Sequence, residues 1–211
     1  PIPDLEAGDV LVEIAAAAVN PSDVKCISGV FNPSLPRTPG RDFSGVVVEG
    51  NRKKGEHVWG SGAGFGVVRD GAHAQYVVLP SDWLSQKPSS LSMEQAAAVG
   101  APYVTAWSAL VSAGNVQAGE TVLITGATGA VGRAAIQIAH WKGAKVIGAG
   151  RSEAATEASD FINTEVKDLP KEVGALTGGK GADLVLDTVG GPLFEPALKS
   201  LGLDGRQVAI A

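Results

Sequence analysis

The sequence predicts an α/β chain in two parts, a β-rich unit followed by a doubly wound parallel sheet. Three observations point there. Short β-branched runs bounded by Gly, Pro and polar clusters fill the chain up to about Met93. Strands then alternate with helices to the end, as a parallel sheet covered on both faces requires. A glycine-rich turn stands at a strand–helix junction of that second part.

In the first part, Val10–Ile14, Gly45–Glu49 and Ala74–Leu79 read as strands, and the whole reads as an all-β unit. Between them, Pro33, Pro36 and Pro39 exclude a helix, because proline lacks the N–H and clashes with the preceding turn. At Ser92 the texture changes. Ser92 reads as an N-cap with Glu94 and Gln95 in the first turn, opening a helix through Ala98, and a second helix follows around Thr105–Ser112. Strands are expected at Thr121–Thr125, Lys145–Ala149, Asp160–Asn163, Ala182–Asp187 and Gln207–Ala211, with a helix over Ala130–Trp141. The expected domains are therefore residues 1–92 and 93–211.

Composition narrows the function classes. Of 211 residues, 17 are Lys or Arg and 22 Asp or Glu, a formal net charge of −5, which offers no footprint for nucleic acid or an anionic membrane. Apolar runs such as Val46–Val48 are far too short to span a bilayer. Cys26 is the only cysteine, so no intramolecular disulfide and no cysteine-rich zinc site can form, and a reducing, cytoplasmic setting is expected. The first residue is not Met and the last residues form an apolar run, so the chain is expected to be incomplete.

The most informative stretch is Thr125–Gly126–Ala127–Thr128–Gly129–Ala130–Val131–Gly132. Gly129 and Gly132 have the spacing of the last two glycines of a dinucleotide-binding turn, with Ala127 at the place of the first. A small residue permits the tight turn, Gly129 lets the backbone approach a pyrophosphate, and Gly132 allows close helix–strand packing. The helix N-terminus then offers N–H groups to the anion. An NAD-preferring site carries Asp or Glu at the end of the second strand. Here that strand runs into Gly150, Arg151 and Ser152, with no acid before Glu153. A guanidinium and a hydroxyl suit a 2′-phosphate, so NADPH is the expected cofactor.

With these residues in hand, the chain resembles the medium-chain dehydrogenase/reductase superfamily, in particular its zinc-free quinone oxidoreductase (zeta-crystallin-like) branch. The anchors are Ala16–Asp23, Thr38–Val46, Gly55–Val58, Gly71–Tyr76, Thr105–Trp107 and the glycine turn. The resemblance implies a GroES-like β domain followed by a Rossmann domain. It also implies that the family's first hairpin and return segment are absent, and that Glu49–Asn51 and Ala154–Asp160 are shortened. Zinc-dependent relatives carry a cysteine at the position of Asn20 and Gly-His-Glu at Gly40–Arg41–Asp42. Neither place offers a thiolate or imidazole here, and His57, His73 and His140 are scattered, so no catalytic metal is expected.

The chemistry the resemblance implies is hydride transfer from NADPH to a small electrophile, a quinone or an α,β-unsaturated carbonyl. Asn20 and Lys25 are the candidate catalytic residues, Asn20 facing the nicotinamide and Lys25 polarising a carbonyl or contacting a phosphate. Thr105 matches a threonine near the nicotinamide, and Thr128, Gly129, Ala130, Val131 and Gly132 line the pyrophosphate turn. Thr164 joins Arg151 and Ser152 near the 2′-phosphate, and Val189 and Gly190 lie by the nicotinamide-side ribose. Phe31 occupies the place of the tyrosine acid of mitochondrial-type enoyl-thioester reductases and cannot donate a proton, leaving Tyr103 as another donor. Cys26 reads as a small buried or half-buried thiol. An enoyl-thioester reductase and a non-catalytic NADPH-binding structural or interaction protein are the alternatives. Relatives pair edge to edge through a final strand that would follow Ala211, so a homodimer is a further expectation.

Overall fold

Nine residues, Asp9–Ala17, form β1, an inner strand of the first sheet. The computed structural model of the chain describes residues 4–30, 35–62, 64–152 and 156–210. β1 pairs antiparallel with β2 (Asp42–Gly50) on one side, and β2 pairs with β3 (His57–Ser61). β4 (Tyr76–Pro80) flanks β1, and the short β5 (Ser85–Gln86) completes the order β4-β1-β2-β3-β5. Val10, Val12, Phe43, Val47, Val58, Phe65, Val77 and Leu79 pack as its core. Burial of such side chains, about 1.5–3 kcal/mol each, is what holds this sheet.

This unit is not all-β as expected. Helix α1 (Pro21–Ile27) interrupts it directly after β1. Pro21 opens the first turn, where a missing N–H is harmless, and the Asp23 carboxylate accepts from the Asn20 backbone N–H at 2.8 Å. The Asn20–Pro21 pair is thus a helix start.

Helix α2 (Met93–Ala98) begins as expected, with Ser92 Oγ accepting from Gln95 N–H and Gln95 Oε1 accepting from Ser92 N–H. It packs against β1 and β2, and its Met93 carbonyl accepts from the Ser44 hydroxyl at 2.6 Å. The compact units accordingly divide after Ala101, beyond the 92/93 boundary expected from texture.

The second unit follows the expected alternation. Helix α3 (Gly100–Trp107) leads through a π-helical turn at Ser108–Ala113 into β6 (Thr121–Thr125) and α4 (Ala130–Trp141). Then come β7 (Lys145–Gly150), β8 (Asp160–Asn163), α5 (Leu169–Leu176), β9 (Ala182–Asp187), α6 (Phe194–Lys199) and β10 (Leu201–Ala209). All neighbours are parallel, in the order β10-β9-β6-β7-β8. Pleating sends Val122 and Ile124 into a core with Ala134, Ala135 and Ile138 of α4. Leu123 goes to the other face, with Ile147, Val173 and Ala197. Both faces are covered, and none of the described helices is long and apolar enough to cross a membrane.

The chain builds outward from β6 to β8, then returns to place β9 on the opposite side of β6. The carboxyl ends of β6 and β9 therefore flank the point where strand order reverses, the crevice in which open α/β sheets bind ligands.

β10 starts at Leu201, earlier than expected, because its pairing with β9 slips between Leu201 and Arg206 around Asp204, whose φ is 58°. Ala211, in the expected strand, lies outside the described residues. Arg206 is anchored by the Glu120 carboxylate at 2.9 and 2.8 Å and by the carbonyls of Gly114, Asn115 and Asp183. Hydrogen bonds from Arg206 hold the Glu120 carboxyl below its usual range. A carboxyl depressed by folding stabilises at pH above its unfolded value and loses that contribution as pH falls through the folded one. Glu120→Gln is expected to cost about 1–2 kcal/mol at neutral pH, solvent screening of the partly exposed Arg206 included. The deficit should shrink as pH drops through the acid range, measured by urea unfolding at several pH values.

Candidate functional site

The glycine turn lies between β6 and α4. Gly126 takes φ 63°, Ala127 N–H donates to Ala149 O at 3.1 Å, and Gly129 N–H donates to Gly126 O at 2.9 Å. The positive φ falls on Gly126, so Ala127, fully buried, is tolerated where a first glycine was sought. A Cβ on Gly132 would stand 2.3 Å from Gly126 O and 2.7 Å from Ala127 Cα, so only glycine lets α4 approach β6 this closely. At Gly129 a Cβ would meet only Gly126 O, at 3.3 Å, and its other side is open. The first turn of α4, with Ala130 exposed, Val131 half-buried and Gly132 buried, has N–H groups with no intrahelical carbonyl one turn back. An open glycine face beside this helix N-terminus fits a pyrophosphate.

Around that turn the structure gathers several expected residues. The Thr128 hydroxyl lies 3.9 Å from the place a Gly150 Cβ would occupy, and Arg151 and Ser152 follow Gly150, both exposed. Thr164 N–H donates to Gly150 O at 2.9 Å. Thr128, Arg151, Ser152 and Thr164 thus share the carboxyl ends of β6, β7 and β8. Glu153 lies outside the described residues. Val189, exposed, and Gly190, half-buried, follow β9. Thr105 sits half-buried on α3, with no hydrogen bond joining it to the turn among the described residues.

Texture alone did not single out the acid beneath the turn. Asp187 is fully buried, and its Oδ1 accepts from Thr125 Oγ1 at 2.6 Å, Val189 N–H at 3.0 Å and Gly190 N–H at 3.1 Å. The available signal was an acid ending the apolar run Leu184–Leu186, a place where an ion is retained only with partners.

In the first unit, Asn20 belongs to a network of buried acids. Its Nδ2 donates to Asp42 Oδ2 at 2.7 Å, while Asp42 Oδ1 accepts from Ser61 Oγ at 2.5 Å and Ala101 N–H at 3.1 Å. Asp23 accepts from Asn20 N–H and from Arg41 Nε, the latter at 3.3 Å. Asp42 and Asp23 are both essentially inaccessible. Lys25 stands exposed on α1, outside this network. The Tyr103 hydroxyl donates to Gln137 Oε1 at 2.5 Å, which engages its proton. Cys26 is buried, its thiol against Gly66 O at 3.3 Å. Phe31 lies outside the described residues. Among the described residues, no three His, Cys, Asp or Glu side chains are grouped to hold a metal ion.

Comparison with known proteins follows the same division. Residues 6–89 match the alcohol dehydrogenase GroES-like domain and residues 130–211 the zinc-binding dehydrogenase family. The crystal structure of an NAD-dependent alcohol dehydrogenase superposes with a TM-score of 0.93 at 36% identity, over 99% of this chain and 71% of that one. The chain belongs to the medium-chain dehydrogenase/reductase superfamily. Its antiparallel sheet is the GroES-like domain and its parallel sheet is of Rossmann type. Within the superfamily, a zinc-type alcohol dehydrogenase-like protein of Schizosaccharomyces pombe is 43% identical over 210 residues, 98% of this chain and 62% of that protein. A quinone oxidoreductase-like protein 2 homolog of Nematostella vectensis is 39% identical over 224 aligned residues, 98% of this chain and 59% of that protein. The chain thus spans about three fifths of the length of these curated relatives.

The packing at Gly132 gives a stability test. Gly132→Ala forces a methyl into backbone and is expected to destabilise by about 1–3 kcal/mol. Gly174→Ala, in α5 with nothing within 4 Å of the added Cβ, should instead gain about 0.5–1 kcal/mol. Parallel urea titrations of the two variants measure the contrast.

Proposed function

We propose that the chain forms the cofactor- and substrate-contacting part of a zinc-independent oxidoreductase that uses NADPH to reduce a quinone or an α,β-unsaturated carbonyl. The observation that carries the cofactor choice is the end of β7. Arg151 and Ser152 stand exposed beside Thr164, with glycine rather than an acid at position 150. A guanidinium fork and hydroxyls there complement a 2′-phosphate, whereas an acid would repel it. Thr128, Gly129, Ala130 and Val131 would hold the pyrophosphate through the open turn and the helix donors, with Gly132 setting the approach. A bound reduced nicotinamide supplies the hydride, and the protein supplies position and polarity.

The Asn20–Asp42 network supports the reading in the other unit. Asp42, itself held by Ser61 and Ala101, takes one N–H of the Asn20 amide and fixes its orientation. The second amide N–H is then available to polarise a substrate carbonyl or bind a ribose hydroxyl, with Lys25 an exposed cation on the same segment. Zinc independence is supported by the donor set. At the position where zinc-dependent relatives place an imidazole stands Arg41, a fixed cation already paired with Asp23, which opposes a divalent ion. Acceptors that delocalise charge, quinones and conjugated carbonyls, need the least metal assistance. The name of the Nematostella relative agrees with a quinone acceptor. A reducing, cytoplasmic setting suits a lone buried thiol.

The test is initial-rate oxidation of NADPH and NADH with a small quinone and with a conjugated enone. NADPH is expected to exceed NADH at least tenfold in kcat/KM. Arg151→Ala should lower the NADPH value about tenfold, the loss of one charge-assisted contact, and leave the NADH value unchanged. Preference for NADH would overturn the 2′-phosphate assignment. Tight binding without turnover would leave a non-catalytic NADPH-binding protein, and turnover confined to enoyl thioesters would make it an enoyl reductase.

A further inference from the structure

We propose that Thr125 and Asp187 act as a positioning pair. They lock the loop after β9 against the glycine turn and so hold open the dinucleotide crevice on which the functional reading above rests. β6 and β9 are neighbours at the reversal of strand order, paired in register through Ile124 and Leu186. At their carboxyl ends the two strands are tied three more times. Thr125 Oγ1 donates to Asp187 Oδ1 at 2.6 Å and accepts from Thr188 N–H at 3.1 Å, and Thr188 Oγ1 donates to Thr125 O at 2.8 Å. Each hydroxyl thus satisfies backbone on the opposite strand.

The carboxylate has a further effect. The single oxygen Asp187 Oδ1 gathers the N–H groups of Val189 and Gly190 as well as the Thr125 hydroxyl. Gly190 takes φ 65° and ψ −154°, a conformation open essentially to glycine, so the loop turns sharply where those donors are drawn inward. That turn brings the loop onto the glycine turn. A Cβ at Gly126 would lie 2.3 Å from Thr188 Oγ1 and 3.0 Å from Val189 Cγ2. The loop after β9 therefore packs against the glycine turn, and the acid holds it there.

The pairing also assigns the rims opposite polarity. On the α4 side, helix N–H groups face outward and suit an anion. On the β9 side, the N–H groups of Val189 and Gly190 are consumed by Asp187, so this rim offers no backbone donors there to a phosphate. It suits the ribose hydroxyls of the dinucleotide rather than its phosphates. Among the described residues, buried Asp187 Oδ2 has no hydrogen-bond partner. A fully buried acid kept with one oxygen unsatisfied is costly as core filling beside Leu186, which argues that its value lies in the donors it arranges.

Two readouts test the pair in the full chain: fluorescence titration with NADPH and NADH, and amide hydrogen exchange at Val189 and Gly190. Asp187→Ala is expected to speed exchange of both amides at least tenfold and to weaken dinucleotide binding about tenfold. Asp187→Asn, which keeps the acceptor oxygen, should stay within threefold of wild type in both. Should Asp187→Ala fail to fold, Thr125→Val removes one donor while keeping the acid, and should weaken binding at least threefold. Unchanged binding and exchange in the folded alanine variant, or unchanged binding in Thr125→Val, would overturn the pair. So would equal losses in the Asn and Ala variants that merely track Tm. Failure of the wild-type chain to bind either dinucleotide would overturn the functional reading itself, and with it the pair's role.

Discussion

The close approach of α4 to the end of β6 is the constraint on which the crevice depends. Gly132 faces Gly126 O across a gap that no Cβ can enter. That contact delivers the first turn of α4 to the sheet's carboxyl edge, and with it the outward N–H groups. It also brings Thr128 to the end of β7, where Arg151 and Ser152 emerge. The hydrophobic core holds the layers together, but the glycine contact decides where their edges lie.

Each unit also relies on buried aspartates used as acceptor hubs. Asp42 gathers an amide, a hydroxyl and a backbone N–H; Asp187 gathers a hydroxyl and two backbone N–H groups. Burying a carboxylate is unfavourable unless several donors converge on it, so such residues constrain every group they bind. The result in the first unit is an Asn20 amide held in one orientation. In the second it is a loop drawn against the glycine turn. Lys25 and Arg151, by contrast, are exposed, and their long side chains are free to meet a ligand as it arrives.

Local pattern by itself determined the α/β class, the alternation in the second unit and the glycine turn. β6, α4, β8 and β9 fall where their apolar periods and punctuation put them, since those signals lie within a few residues of each other. It also marked Arg151 and Ser152, because a strand end has a known place in this sheet. Tertiary structure alone decided the rest. α1 depends on a capping contact between Asn20 and Asp23, and the early start of β10 depends on a slip against β9. α2 reads as the opening of the second part yet packs on the first, since burial against β1 and β2 is a long-range choice. Asp42 and Asp187 were visible only as single acids. Their partners, Asn20 and Ser61 in one case and Thr125 in the other, lie 19 to 62 residues away, and only folding brings them within hydrogen-bonding distance.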